Sequence, residues 1–362
     1  MYDGTTTWEN IYEILPGFSI FISIFDLKCE FRLNDNFFFA KPVLDPAAIL
    51  EEYINKNCGD DNVVIEFSGG LDSTALLYTA CMVKKKSQIK ALTWHHPDIS
   101  AKEDINASQY VCQKLGIEHV KYSIKTEELF ILDSFDHTIT APNLSLMFYM
   151  TRKKSHQICS RGRNDYSFIN GHGGDHLFFD PPHYSSLINA YVDNGAFFAV
   201  KKLYQYSIFT GIPILQVLKK LIIHKRRSKE QNHYDTFYRH CSEKNSLDYG
   251  SKELIIAIIQ AIFENQRSCP AKVYTPFTCK NMINFSLSRP TYESFNKTQK
   301  RIHFKKDIYF SYGKDTIIRN SKGHITGIYQ KYFQQNAEKI KYIIEHDTIL
   351  NTLNIDKKNT TP

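Results

Sequence analysis

The sequence predicts an α/β chain: a parallel sheet covered by helices, with a mostly helical C-terminal half and a short N-terminal β segment. Three observations carry this. Between residues 47 and 123 short apolar runs alternate with helix-period segments, the βαβα pattern of a sheet covered on both faces. The run at 63–67 is apolar without alternation, as in a strand buried on both sides. After about Asp180 the period is almost entirely helical.

Residues 1–45 read as paired strands. Residues 18–25 alternate aromatic or aliphatic side chains with serine, and 37–39 is a second short apolar run. Pro42 to Pro46 reads as a linker. A helix follows over 47–57, where Ile49, Leu50, Tyr53 and Ile54 share a face and Asp45 supplies the cap. Strands are expected at 63–67, 89–94, 118–123 and 167–170. Helices are expected at 72–82 and at 104–115, the latter ending at Gly116. Further helices are expected at 187–202, 214–223, 252–265 and 280–287. The expected division is 1–45 as the β segment, 46–340 as the main domain and 341–362 as a C-terminal helix with a frayed tail.

The composition excludes several classes. Of 362 residues 42% are hydrophobic, enough for a core and too many for a disordered chain. No run of 18 apolar residues exists, and Met1-Tyr2-Asp3 opens no basic n-region, so neither a membrane span nor a secretory signal is expected. Eight scattered cysteines form no C-x-x-C, the usage of buried thiols in a reducing cytoplasm. A net charge of +7 suits a polyanionic ligand such as ATP without requiring nucleic acid.

The chemistry concentrates in two glycine clusters. Ser68-Gly69-Gly70-Leu71-Asp72-Ser73 lies directly after a strand and before a helix. Two glycines permit a tight turn and close approach of phosphate to the backbone, and the helix start supplies N–H groups and a positive dipole end. Ser68 and Ser73 add hydroxyls. Asp72 would repel phosphate unless a cation stands between, which points to Mg²⁺. The Walker spacing is absent. The second cluster, Asn170-Gly171-His172-Gly173-Gly174-Asp175-His176, follows the fourth strand. Its Asp175 offers a second carboxylate, and with Asp72 could hold Mg²⁺ across a leaving pyrophosphate.

The hexad resembles the pyrophosphate loop of the ATP-pyrophosphatase superfamily, whose members split ATP into AMP and pyrophosphate and adenylate their substrates. Both clusters, in this order and about one hundred residues apart, resemble the synthetase domain of the asparagine synthetase family, over residues 45–335. Tyr274-Thr275-Pro276-Phe277, Ser288-Arg289-Pro290 and Arg319-Asn320-Ser321-Lys322-Gly323 extend the match. The fold implied is that of the adenine nucleotide alpha hydrolases. Asparagine synthetases carry Glu where this chain has His172, and β-lactam synthetases carry Tyr. The G-H-G-G-D-H pattern is similar to that of the lasso-peptide cyclases. Tyr2 stands where a glutamine-dependent synthetase needs cysteine, and 67 residues before the hexad are too few for a glutaminase domain, of which residues 8–40 resemble only the last strands.

The resemblance implies ATP and Mg²⁺ as cofactors. The 68–73 loop would grip pyrophosphate, and Thr93, Trp94, Asn170 and Gly171 would border the adenosine. His172 would act as base or orienting group in aminolysis, and Lys322 would match the family's late lysine, which stabilises the tetrahedral intermediate. The substrate implied is a precursor peptide closed into a macrolactam, with a leader-peptide protease and a leader-binding protein as possible partners, and neither nucleic acid nor membrane. Its cleft would be walled by the helical region after Asp180, and the aromatic series Phe178, Phe179, Tyr184, Phe197, Phe198 and Tyr204 is either wall or core. An asparagine synthetase whose glutaminase domain is truncated or supplied separately, and a non-catalytic nucleotide-binding module, stay open as alternatives.

Overall fold

A computed structural model describes residues 14, 18–26, 28–33, 44–97, 102–130, 147–227, 249–267, 273–313, 316–317, 319 and 326–346. The apolar run at 37–39 and Lys322 lie outside them. Near the N-terminus β1 (Phe18–Ile22) pairs antiparallel with β2 (Cys29–Leu33) in a separate two-stranded sheet. The expected strand at 18–25 is shorter because the chain turns at 24–26.

Helix α1 (Pro46–Cys58) begins as its sequence dictates: Asp45 Oδ1 accepts from the Ala48 N–H at 2.9 Å, and proline opens the first turn. The main sheet then starts with β3 (Asn62–Glu66), followed by α2 (Leu71–Val83), β4 (Ile89–His95), α3 (Lys102–Leu115) and β5 (Glu118–Ser123). Helix α4 (Tyr149–Ser160) leads into β6 (Tyr166–Ile169) and the short α5 (Gly174–Leu177). Helices α6 (Ser186–Thr210), α7 (Ile214–Arg227) and α8 (Tyr249–Arg267) precede β7 (Val273–Tyr274), and α9 (Lys280–Leu287), α10 (Ile302–Tyr312), α11 (Thr326–Gln335) and α12 (Ala337–His346) follow it. Helix α6 runs longer than its sequence suggests and is broken at Gly195, where φ is 78°.

All five strands are parallel, in the order β5-β4-β3-β6-β7. The chain winds outward through β3, β4 and β5, then returns to place β6 on the other side of β3. That reversal falls at the carboxyl ends of β3 and β6, the place where ligands of such sheets bind. Strand periodicity assigns the layers. Val63, Ile65 and Phe67 join α1, α2 and α10 in the largest core cluster, which includes Leu50, Leu76, Phe277 and Phe304. Val64 faces the opposite layer with Leu92, Phe168 and Cys159. Helix α2 is apolar nearly all round and accordingly buried, with Thr79 Oγ1 bonding the Ala75 carbonyl at 2.8 Å and the Tyr312 hydroxyl at 2.6 Å.

The aromatic series near residue 180 divides. Phe178 and Phe179 are core; Phe197, on α6, is 90% exposed. Burial pushes the Cys81 thiol up to about 11 and those of Cys112 and Cys159 up to about 12. Among the described residues no single helix is long and apolar enough to cross a membrane; α6 with residues 214–223 meets that length and composition only as a pair bent by 109°.

Glu66 ends β3 on the Val64 face, directly before the first glycine loop. Its carboxylate accepts from Arg152 Nε at 3.0 Å and Nη2 at 3.2 Å, and from His156 Nε2 at 2.8 Å. Burial alone would raise this carboxyl; the Arg152 charge and the His156 hydrogen bond outweigh it and hold it down to about 2. Glu66→Gln should therefore destabilise the protein by about 3 kcal/mol at pH 7, since one partner of a buried ion pair is lost. The stabilisation is fully present above the unfolded carboxyl's pKa, near 4.5, and is lost as pH falls toward about 2. Urea unfolding should show the difference between wild type and variant shrinking across that window.

Candidate functional site

The first glycine loop leaves β3 at Phe67, whose N–H reaches the Leu92 carbonyl at 2.7 Å. Gly69 then takes φ +71°, a left-handed conformation natural to glycine, and Gly70 caps α2 in an extended conformation. The loop is tied by its own serines. Ser73 Oγ donates to the Gly70 carbonyl at 3.2 Å and accepts from the Ser68 N–H at 3.2 Å, and Ser68 Oγ accepts from the Gly70 N–H at 3.3 Å. The first N–H groups of α2, from Leu71 onward, have no acceptor within the helix, an arrangement suited to an anion.

The second loop leaves β6 at Asn170. Its N–H reaches the Tyr274 carbonyl at 3.0 Å, and its side-chain oxygen accepts from the His172 N–H at 3.1 Å. The two loops meet in direct contact. A Cβ on Gly171 would lie 2.9 Å from Asp72 Cβ, and one on Gly174 would fall on the Asp72 carboxylate. No side chain fits at either position, which is why glycine occupies both.

Asp72 and Asp175 converge as their sequence positions suggest, and the group between them is Arg301. Its Nη1 donates to Asp72 Oδ2 at 2.9 Å and to Asp175 Oδ1 at 3.0 Å, while Nη2 donates to Asp72 Oδ1. Asp72 is 9% exposed and Arg301 3%. Burial works against the Arg301 charge, but Asp72 and then Asp175 overcome it and raise its pKa. The sequence argument required a cation beside Asp72, and the fold supplies one from 229 residues away. The donor chemistry of two facing carboxylates is that of a Mg²⁺ site. The placement does not fit the ion, because both Asp72 oxygens and one Asp175 oxygen already accept from the guanidinium.

The remaining candidates are placed as follows. His172 Nε2 lies 2.5 Å from the Ala261 carbonyl of α8, so Nε2 carries a proton. Its ring centroid is 6.0 Å from that of His176. Thr93 Oγ1 donates to the Phe67 carbonyl at 2.7 Å and accepts from His119 Nε2 at 2.8 Å, so its hydroxyl braces the loop. Trp94 turns toward α4. Its Nε1 donates to Ser155 Oγ at 3.0 Å, and the Arg152 guanidinium lies 5.2 Å over its ring. Sequence reasoning missed Arg301 and the Glu66–Arg152–His156 cluster. No local signal marks Arg301, because its partners lie 229 and 126 residues away.

A model of the asparagine synthase family matches residues 48–240. Among characterised proteins the chain is similar to the microcin J25-processing protein McjC of Escherichia coli, 22% identical over 304 residues that cover 81% of this chain and 54% of that protein. The chain thus spans about half the length of this relative. Among solved structures it is similar to the NH3-dependent NAD synthetase of Campylobacter jejuni, at 19% identity and a TM-score of 0.27, over 37% of this chain and 57% of that one. An overlap of that size carries no weight beside the strand order.

Gly174→Ala tests the loop contact. The added methyl must push Asp72 off Arg301, and the variant should lose about 1–3 kcal/mol of stability by overpacking, read as a lower urea midpoint with unchanged slope. Wild-type stability would show that the two loops are not in contact.

Proposed function

The chain belongs to the asparagine synthase family, and from that premise we propose that it forms an amide bond with ATP, activating a carboxylate as its adenylate and closing a peptide into a macrolactam. The observation that carries this reading is the meeting of the two glycine loops at the carboxyl ends of β3 and β6. There, the start of α2 faces the Asp72–Arg301–Asp175 cluster.

A carboxylate oxygen attacks the α-phosphorus of ATP; the bond to the β-phosphate bridging oxygen breaks and pyrophosphate leaves. The loop from Ser68 to Ser73 binds that pyrophosphate through backbone N–H groups and hydroxyls. The ends of β4 and β6, at Thr93, Trp94, Asn170 and Gly171, border the adenosine through backbone, since the Thr93 hydroxyl and the Trp94 indole are engaged elsewhere. An amine nitrogen then attacks the acyl carbon; a C–N bond forms, the C–O bond to AMP breaks and the proton goes to His172 Nδ1. The hydrogen bond from Nε2 to the Ala261 carbonyl supports this role by keeping a proton on Nε2. Lys322 adds positive charge at the tetrahedral intermediate. Mg²⁺ would accompany ATP, and Asp72 and Asp175 would hold it only with Arg301 displaced.

A peptide substrate is favoured over aspartate by His172 in the second cluster and by likeness to a protein named for processing a microcin. A leader-peptide protease and a leader-binding protein would be the partners of such an enzyme. The test supplies ATP with a candidate precursor peptide and, separately, with aspartate and ammonia. Release of AMP and pyrophosphate together with a peptide product lighter by one water is expected in the first. Asparagine formation in the second, with no peptide product, would assign the other activity of the family. Asp72→Asn should lower pyrophosphate release by about 100-fold or more. His172→Ala should slow ring closure by about 100-fold while ATP–pyrophosphate exchange falls far less; equal losses in both would remove it as the base.

A further inference from the structure

Asp72 and Asp175 stand on loops from different strands and bring two negative charges to one place. Arg301 meets both. Its side chain is 2% exposed, against 12% for Asp72 and 33% for Asp175. Its backbone takes φ 56° and ψ 39° at the head of α10, the left-handed region that residues other than glycine seldom adopt. Its Nε is buried and has no hydrogen-bond partner among the described residues. The clamp is thus tight at its two Nη atoms and unsatisfied at the third nitrogen.

We propose that Arg301 is a resident counter-cation of the Asp72–Asp175 pair, and that a divalent metal ion and its guanidinium are alternative occupants of one position. Three physical arguments lead there. An arginine does not deprotonate in a protein, so its charge can leave the site only by moving. A small hard cation takes near-octahedral oxygens at about 2.0–2.1 Å, and oxygens already accepting N–H bonds cannot serve it at that distance. A second cation beside a buried first one is repelled in a medium that screens poorly. The chain by itself therefore holds divalent metal weakly, and the pair becomes a metal site only when the guanidinium is drawn off. This goes beyond the proposed reaction and does not depend on which amide is made.

The experiment is a Mn²⁺ titration of the full chain, without nucleotide or peptide, followed by electron paramagnetic resonance of free Mn²⁺. Wild type should bind weakly. Arg301→Gln, which takes the guanidinium off both carboxylates, should bind at least ten times more tightly, and Asp72→Asn added to it should abolish the gain. Equal Mn²⁺ affinity in wild type and Arg301→Gln would overturn the proposal. If Arg301→Gln folds only when Mn²⁺ is present, the proposal is supported. If it folds in neither condition, Arg301→Lys decides: it keeps the charge but loses the fork that engages both aspartates, so its affinity should lie above wild type, and wild-type affinity would overturn the proposal. Because no nucleotide is present, failure here leaves the amide-forming reading to be judged by AMP release alone.

Discussion

Two carboxylates that would repel each other are held on one buried guanidinium, and the approach of the two glycine loops depends on that contact. Asp72 belongs to the turn after β3 and Asp175 to the turn after β6, so each hydrogen bond from Arg301 also ties one half of the sheet to the other. Removing one member of such a buried set costs about 3–5 kcal/mol, because the charge left behind has neither water nor partner. Glycine at 171 and 174 is the steric complement of the same contact, since any Cβ there would occupy the space of Asp72.

The strand order explains why chemistry gathers at this point. With β6 beside β3, the sheet reverses its direction of growth between these two strands, and both loops emerge at that reversal. The scaffold around them is rigid for identifiable reasons. Helix α2 is enclosed by α1, α10 and the sheet, and Glu66 is pinned by Arg152 and His156 immediately before the first loop. Thr93 reaches across from β4 to hold the Phe67 carbonyl. The first glycine loop is therefore braced by the elements around it.

Much of this architecture was legible in the sequence, and the part that was not has a common cause. Strands β3 to β6 stand out because they are short apolar runs between helix-period segments, and the Asp45 cap follows from its residue type and position. The two clusters stand out because glycine, serine and aspartate are packed between a strand and a helix. Arg301 could not be found locally, because its role depends on partners 229 and 126 residues distant. Strand β7 has only two residues and no period to detect. Helix α4 is rich in polar residues, and two of its inward ones, Arg152 and His156, serve a buried carboxylate. Trp94 reads as a ligand-facing strand end, yet it points to the other layer, where Ser155 and Arg152 engage it.

The proposed reaction rests on one chemical idea, that a carboxylate is made reactive by joining it to AMP. Oxygen tracing tests that idea most directly. With the substrate carboxylate labelled with ¹⁸O, the product AMP should carry one labelled oxygen, because the acyl–oxygen bond is the one aminolysis breaks. Label appearing in inorganic phosphate, or unlabelled AMP alongside amide product, would contradict an acyl-adenylate.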